Sequence, residues 1–192
     1  ELQITLPVAD ADKARKDPLI VTSRGNSLPV LITALDPAVE APISMQAANI
    51  AQGRFLLPAD GDAILIGEAL AKRLEVGVGD KLSLVGRSKS ELMRQHTMTI
   101  VGIYDLGMPE DEKGAVFIPL ADGQQLYNLR GQATEAAIFL HQVGSEDQLM
   151  AQLQAQLPGS EVDTWQTLRP EIRQTLDTKL AFSSIFGMVV LF

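Results

Sequence analysis

The chain has 192 residues, 46% of them hydrophobic, a formal charge of −8 and no cysteine. That length and apolar content suffice for one large core or two small ones. The acidic balance disfavours nucleic acid, whose phosphates need clustered Lys and Arg, and broad adhesion to an anionic membrane face; the lack of cysteine excludes disulfides, thiolate catalysis and Cys-ligated zinc.

At the head, Leu2 to Leu6 alternates as a strand does, and Pro7 ends it. Asp10 to Lys16 reads as a short helix or a polar turn. Leu19 to Thr22 and Pro29 to Leu35 are β-branched and apolar and predict two strands, joined through Arg24-Gly25-Asn26-Ser27 as a hairpin turn. Asp36 to Gln52 is Ala- and Pro-rich and fits no single pattern. Gly53-Arg54-Phe55 then leads through Pro58-Ala59-Asp60-Gly61 into the stretch that organises the chain.

That stretch is Ala63 to Val85. Ala63 to Ile66 is short and apolar enough for a buried strand, and Gly67 turns the backbone into a compact helix over Glu68 to Leu74. Leu70 and Leu74 share one face, while Glu68 and Lys72 form a favourably oriented pair on another. Gly77 and Gly79 are expected to break the helix, and Lys81 to Val85 alternates like a half-buried strand.

A polar connection follows at Gly86 to Gln95. Thr97 to Tyr104 predicts a strand, interrupted at Gly102 as bulges and close contacts are. Gly107 to Gly114 reads as an acidic, turn-rich loop, and Ala115 to Ile118 as a strand closed by Pro119. Residues 63–119 are thus mostly β with one short helix.

The tail changes character. Ala136 to Leu140 predicts a strand. Ser145 to Leu157 predicts a helix capped by Ser145, with Gln148 completing a capping box and Leu149, Leu153 and Leu157 on one face. Pro158-Gly159 stops it, and Glu161 to Thr164 reads as a short strand. From Thr167 a further helix, with Pro170 in its first turn, carries Leu168, Ile172, Leu176 and Leu180 into the uncharged run Leu180 to Phe192. As a helix that run spans about 20 Å against roughly 30 Å of hydrocarbon. With nothing to stop it, it reads as the opening of a membrane span, against the alternative of a buried C-terminal helix. A continuous helix there would transmit displacement that a Gly/Ser linker would absorb. The pattern as a whole predicts an α+β fold in which both chain ends form one layer and the β-rich middle is inserted between them.

Candidate chemistry is sparse. His96 and His141 each lie beside a predicted strand without HxH, HExxH or paired-carboxylate spacing. Glu110-Asp111-Glu112 lacks the alternating ligands and glycine of a calcium loop and reads as a solvated turn. Gly77-Val78-Gly79-Asp80 precedes a strand rather than a helix, so it is neither a Walker loop nor a dinucleotide fingerprint. Serines 23, 27, 83, 183 and 184 lack a nucleophile-elbow context. Trp165 is either an interfacial anchor or a core residue. No catalytic, cofactor-binding or metal-ligating residue is assigned, no cofactor is expected, and an enzymatic role finds no support.

Taken in order, Gly53-Arg54-Phe55, Ile66-Gly67 with Leu70-Ala71 and Leu74, Gly79-Asp80, Val101-Gly102-Ile103, Phe117-Ile118-Pro119-Leu120 and Trp165 before the apolar run form a recognisable set. The chain resembles the periplasmic core domain of MacB-like ABC transporter permeases, a family that includes macrolide exporters, the lipoprotein-releasing permeases LolC and LolE, and FtsX-like proteins. The resemblance covers most of the chain from about Gly53 onward. It implies an inner-membrane permease with this domain in the periplasm and a porter-like α+β subdomain built from both chain ends around a β-rich, sabre-like insertion. The corresponding division is residues 1–60 and 120–178 for the porter-like part, 61–119 for the sabre-like part, and 179–192 for the start of a truncated transmembrane helix.

The resemblance further implies partners: a separate ABC ATPase subunit, a second permease protomer, and a periplasmic adaptor or lipoprotein carrier. It implies a domain that couples cytoplasmic ATP hydrolysis to periplasmic movement. The connection at Gly86 to His96 lacks the proline of the carrier-gripping hook found in one lipoprotein-releasing permease, whereas the Tyr104-Asp105-Leu106-Gly107 turn and the Trp165 region look more like that branch. Lipoprotein or lipid trafficking is therefore placed ahead of antibiotic or peptide efflux, and an FtsX-like scaffold that recruits and activates a cell-wall hydrolase is the alternative.

Overall fold

A computed structural model describes residues 19–23, 25–87, 93–129, 131–133, 138, 146–157 and 162–168. In chain order the elements are β1 (Leu19–Ser23), β2 (Asn26–Leu35), α1 (Pro37–Glu40), α2 (Met45–Ala48), β3 (Ile50–Gly53), β4 (Ala63–Gly67), α3 (Glu68–Leu74), β5 (Lys81–Arg87), β6 (Met93–Tyr104), α4 (Pro109–Glu112), β7 (Ala115–Pro119), α5 (Leu120–Tyr127), α6 (Glu146–Gln156) and α7 (Trp165–Leu168). The expected α+β class holds. The chain divides into a unit of residues 1–136 and a unit of residues 137–192.

In the first unit six strands close on themselves. The order β6-β4-β7-β2-β1-β5 returns to β6, and β3 lies on β6 as a seventh strand. Thr99 of β6 is aligned with Ala63 on one side and with Lys81 on the other, which is where the ring shuts. Closure pairs strand edges that would otherwise be free. β2–β7 and β4–β6 are parallel, and the remaining neighbours are antiparallel. The ladders β2–β7 and β3–β6 join residues 31–53 to residues 102–119, so the sheet runs past residue 60 without a break.

The β1–β2 hairpin is tighter than expected. Asn26 already pairs with Ser23, and Gly25, at φ +87°, carries the reversal, so the strand begins before Pro29. Pro29 costs no ladder bond. Leu31 donates to the Gly114 carbonyl at 2.6 Å, and by alternation the nitrogen of Pro29 faces the same side, before the β7 pairing begins at Leu31.

β5 and β6 likewise run further than their apolar residues suggest. Pairing continues to Arg87↔Met93, which reduces the expected polar connection to residues 88–92. On the outer face the polar side chains satisfy one another: Gln95 donates to Ser83 Oγ, which also lies 3.4 Å from Thr97 Oγ1. The predicted irregularity at Gly102 is a bulge, with register shifting between Ile100 and Gly102. A Cβ on Gly102 would stand 2.0 Å from the Arg54 carbonyl oxygen. The extra residue resets the alternation, so Met98, Ile100 and Ile103 face the barrel interior while Val101 and Tyr104 face outward into a second cluster.

The interior is filled by Val21, Val30, Ile64, Ile66, Leu82, Leu84, Met98, Ile100, Ile103, Val116 and Ile118. Each such side chain contributes about 1.5–3 kcal/mol by leaving water. α3 leaves the end of β4 and α5 leaves the end of β7. Those strands are antiparallel, so the two helices lie at opposite ends of the barrel, and Leu70, Ala71 and Leu74 from one and Leu126 from the other join the interior cluster. Ala63 and Leu65 point the other way, onto Leu35, Leu56 and Tyr104. β4 is buried on both faces, which is why it reads as an unbroken apolar run.

Two turns depart from expectation. α3 is ended by Glu75 in the left-handed region (φ 55°), with the Val76 N–H returning to the Ala71 carbonyl, rather than by Gly77 or Gly79. Gly79 (φ +91°) instead shapes the approach to β5, donating to the Ile100 carbonyl. The segment expected to be an acidic loop contains α4, so residues 63–119 hold two short helices. The undecided stretch 36–52 resolves into α1, α2 and β3; Asp36 caps α1 by accepting from Ala38 N, and Ser44 caps α2 by accepting from Ala47 N.

In the second unit α6 matches the expected helix. Leu149, Met150, Leu153 and Leu157 are half-buried, and positions 151, 152 and 154–156 are exposed. α7 starts at Trp165, two residues before the predicted Thr167. Thr167 Oγ1 accepts from Thr164 N, the reciprocal arm of a capping box, and Val162 to Thr164 form no strand. The predicted strand Leu2–Leu6, the segment Asp10–Lys16, the strand Ala136–Leu140 apart from Ile138, the cap Ser145, the stop Pro158-Gly159 and the segment 179–192 lie outside the described residues. Among the described residues no helix is long and apolar enough to cross a membrane.

Candidate functional site

Three polar arrangements stand out in the first unit. At the α5 end of the barrel, β6 carries His96 on the same side as Met98 and Ile100. Its Nε2 lies 2.6 Å from Asp62 Oδ1, in the turn before β4. The Asp62 N–H in turn donates to Asp122 Oδ2 of α5 at 3.0 Å. The Asp122 carboxyl is held above the usual carboxylate range, by its burial first and by the nearby Asp62 charge, against hydrogen bonds from Asp62 and Ala63 N–H and the attraction of His96. No spacing rule links these residues, since Asp62 is 34 positions from His96 and 60 from Asp122.

The second arrangement corrects the reading of Glu110-Asp111-Glu112 as a wholly solvated turn. Glu110 and Asp111 are exposed, but Glu112 is 2% exposed. Its Oε1 accepts from Leu106 N at 2.9 Å and from Met108 N at 3.1 Å, which fastens the loop after β6. Tyr104, beside it, donates to the Ala115 carbonyl and stands edge-on to Phe117. Burial, then the charges of Glu112 and Asp111, push the Tyr104 phenol up to about 12. This is a structural anchor, since Glu112 Oε1 and the Tyr104 hydroxyl are both spent on the backbone.

The third is a rigid loop. Arg54 holds Asp60 through both guanidinium nitrogens at 2.7 and 2.8 Å, and Asp60 also accepts from Leu57 N. The pairing keeps the Asp60 carboxyl below, and the Arg54 guanidinium above, their ordinary values. Nearby in sequence, the excursion 36–49 presents Val39, Ile43 and Met45 to solvent, Val39 and Met45 by more than 60%.

The other residues weighed in the sequence find ordinary places. Ser27 pairs with Thr22, Ser83 with Thr97 and Gln95, and Ser23 is buried. Gly77 to Asp80 is a turn, with Asp80 Oδ2 accepting from Gly77 N. Trp165 opens α7. His141, Ser183 and Ser184 lie outside the described residues. Among the described residues no three His, Asp or Glu side chains are placed to hold a metal ion. The geometry therefore offers a titratable joint and two anchors on a closed barrel.

No curated protein matches the chain. Residues 1–156 do match the MacB-like periplasmic core domain. The chain belongs to that family, the extracytoplasmic domain of inner-membrane ABC transporter permeases that work with ATPase subunits.

Proposed function

We propose that the chain is the moving periplasmic body of a permease that handles lipoprotein or lipid substrates, driven by ATP hydrolysis on a separate cytoplasmic subunit. The observation that carries this reading is the family match over residues 1–156. A closed barrel with a helix at each end supports it physically, because closure pairs the edges of the six strands in the ring. In this reading the domain does no chemistry of its own. It works as one of two protomers, and a periplasmic adaptor or lipoprotein carrier meets it. The porter-like and sabre-like division, residues 1–60 and 120–178 around 61–119, belongs to the same proposal, with the ladders β2–β7 and β3–β6 joining its two parts across residue 60.

This chain contributes no cysteine of its own, so once any cysteine elsewhere in the permease is replaced, a single introduced thiol is labelled alone. Leu31 points outward from β2 and is 61% exposed, so Leu31→Cys in the full-length permease accepts a spin label without disturbing the core. The distance between labels on the two protomers is expected to differ between the ATP-trapped and ADP states. An unchanged distance during active ATP turnover would remove the coupling. Co-purification then separates the branches: a lipoprotein carrier favours trafficking, and a cell-wall hydrolase favours the scaffold.

A further inference from the structure

Under α5, at one end of the barrel, titratable side chains from three elements meet. β6 supplies His96, the turn before β4 supplies Asp62, and α5 supplies Asp122. On the neighbouring strands, Leu84 of β5 is paired opposite His96, and Ala34 of β2 lies beneath Gly123 of α5. We propose that His96, Asp62 and Asp122 form a proton-operated clasp that fastens α5 over the end of the barrel, tight when the imidazole is charged and looser when it is neutral.

Asp62 is the middle of the clasp. Its backbone is left-handed (φ 52°), a conformation that a non-glycine residue keeps only when its surroundings insist. Here they do: its side chain meets His96, its N–H goes to Asp122, and its carbonyl accepts from Thr99 N at 2.7 Å. With the ring charged, one cation faces two carboxylates. A neutral ring can still donate a hydrogen bond to Asp62, but it offsets neither charge, and two carboxylates then confront each other with Asp122 partly desolvated. Histidine is the side chain whose charge ordinarily changes between about pH 5 and 8.

The joint has a mechanical consequence inside this unit. Past α5 the chain is held to the same helix, with Gln124 Nε2 donating to the Gln132 carbonyl at 3.0 Å. Loosening the start of α5 therefore loosens the route by which the chain leaves the barrel, whatever the permease carries.

Hydrogen–deuterium exchange on this chain tests the clasp. The readout is protection of the α5 amides 123–127 relative to the β4 amides 64–66, corrected for intrinsic rates, across roughly pH 5.5 to 8. Relative protection is expected to fall about twofold to fivefold towards the alkaline end, the scale of a partly exposed ion pair. His96→Gln should abolish that slope, and His96→Lys, charged throughout, should keep protection high. Asp122→Asn retains an acceptor for the Asp62 N–H and should restore protection at the alkaline end. The β4 reference absorbs any global loss of stability in a variant. A flat wild-type profile, or a slope that survives in His96→Gln, would overturn the clasp.

Discussion

The backbone of Gly67 lies directly against Glu112: a Cβ on Gly67 would stand 2.5 Å from the Glu112 carbonyl oxygen and 2.7 Å from its Cβ. Gly67 has an ordinary φ of −74°, so glycine is needed for closeness and not for backbone freedom. Gly67→Ala is therefore expected to cost about 1–3 kcal/mol by overpacking. A denaturant midpoint equal to wild type would show that α4 moves aside freely.

Glu112 itself is the next test. Replacing it with alanine strands the N–H groups of Leu106 and Met108 in a part-buried loop. The expected loss is about 2 kcal/mol or more, and Glu112→Gln, which keeps one acceptor, should lose less. Chemical denaturation gives the ranking. Limited proteolysis should show cleavage near 106–108 appearing in the alanine variant first.

Asp122 gives a pH-dependent prediction with a definite sign. Its carboxyl is raised in the folded state, so folding favours the protonated form. Its contribution to stability is then greatest in acid and is lost as pH rises through the folded value. Asp122→Asn should match wild type in acid and exceed it at neutral pH. Thermal melts of the two proteins at a series of pH values check this, and a variant less stable than wild type at neutral pH would contradict it.

Asp60 has the opposite sign. Its carboxyl is lowered by Arg54, so the pair stabilises the fold above the ordinary carboxylate range and fades as pH falls through the folded value. The pair is partly exposed, and Arg54→Ala or Asp60→Asn should each cost about 1 kcal/mol or less at neutral pH. The deficit relative to wild type should shrink in acid and in high salt.

Much of the barrel was legible one segment at a time. The alternation at Lys81 to Val85, the unbroken run at Ala63 to Ile66 and the Leu70/Leu74 face each state how a residue's own side chain is buried, and local pattern records that directly. The hydrogen-bonding partners were not legible. The first four residues of β6, Met93 to His96, were hidden because they break the apolar pattern: Gln95 is exposed and bonds Ser83, and His96 meets Asp62. Glu75 was missed as a helix stop because the left-handed turn usually goes to glycine, and two glycines stood close behind it.

The same divide separates the site from the fold. His96, Asp62 and Asp122 are unremarkable in sequence and acquire meaning only when β4, β6 and α5 bring them to one end of the barrel. The sequence by itself determined the central residues of β1, β2 and β4 to β7 and the helices α3 and α6, the ordered set of residues shared with the family, and the acidic, cysteine-free character of the chain. Only the tertiary structure decided that six strands close into a ring, that Glu112 is an anchor rather than a surface charge, and that a histidine faces two carboxylates. The reason is physical: burial periodicity is carried by neighbours along the chain, whereas register, ring closure and charge pairing are set by residues tens of positions apart.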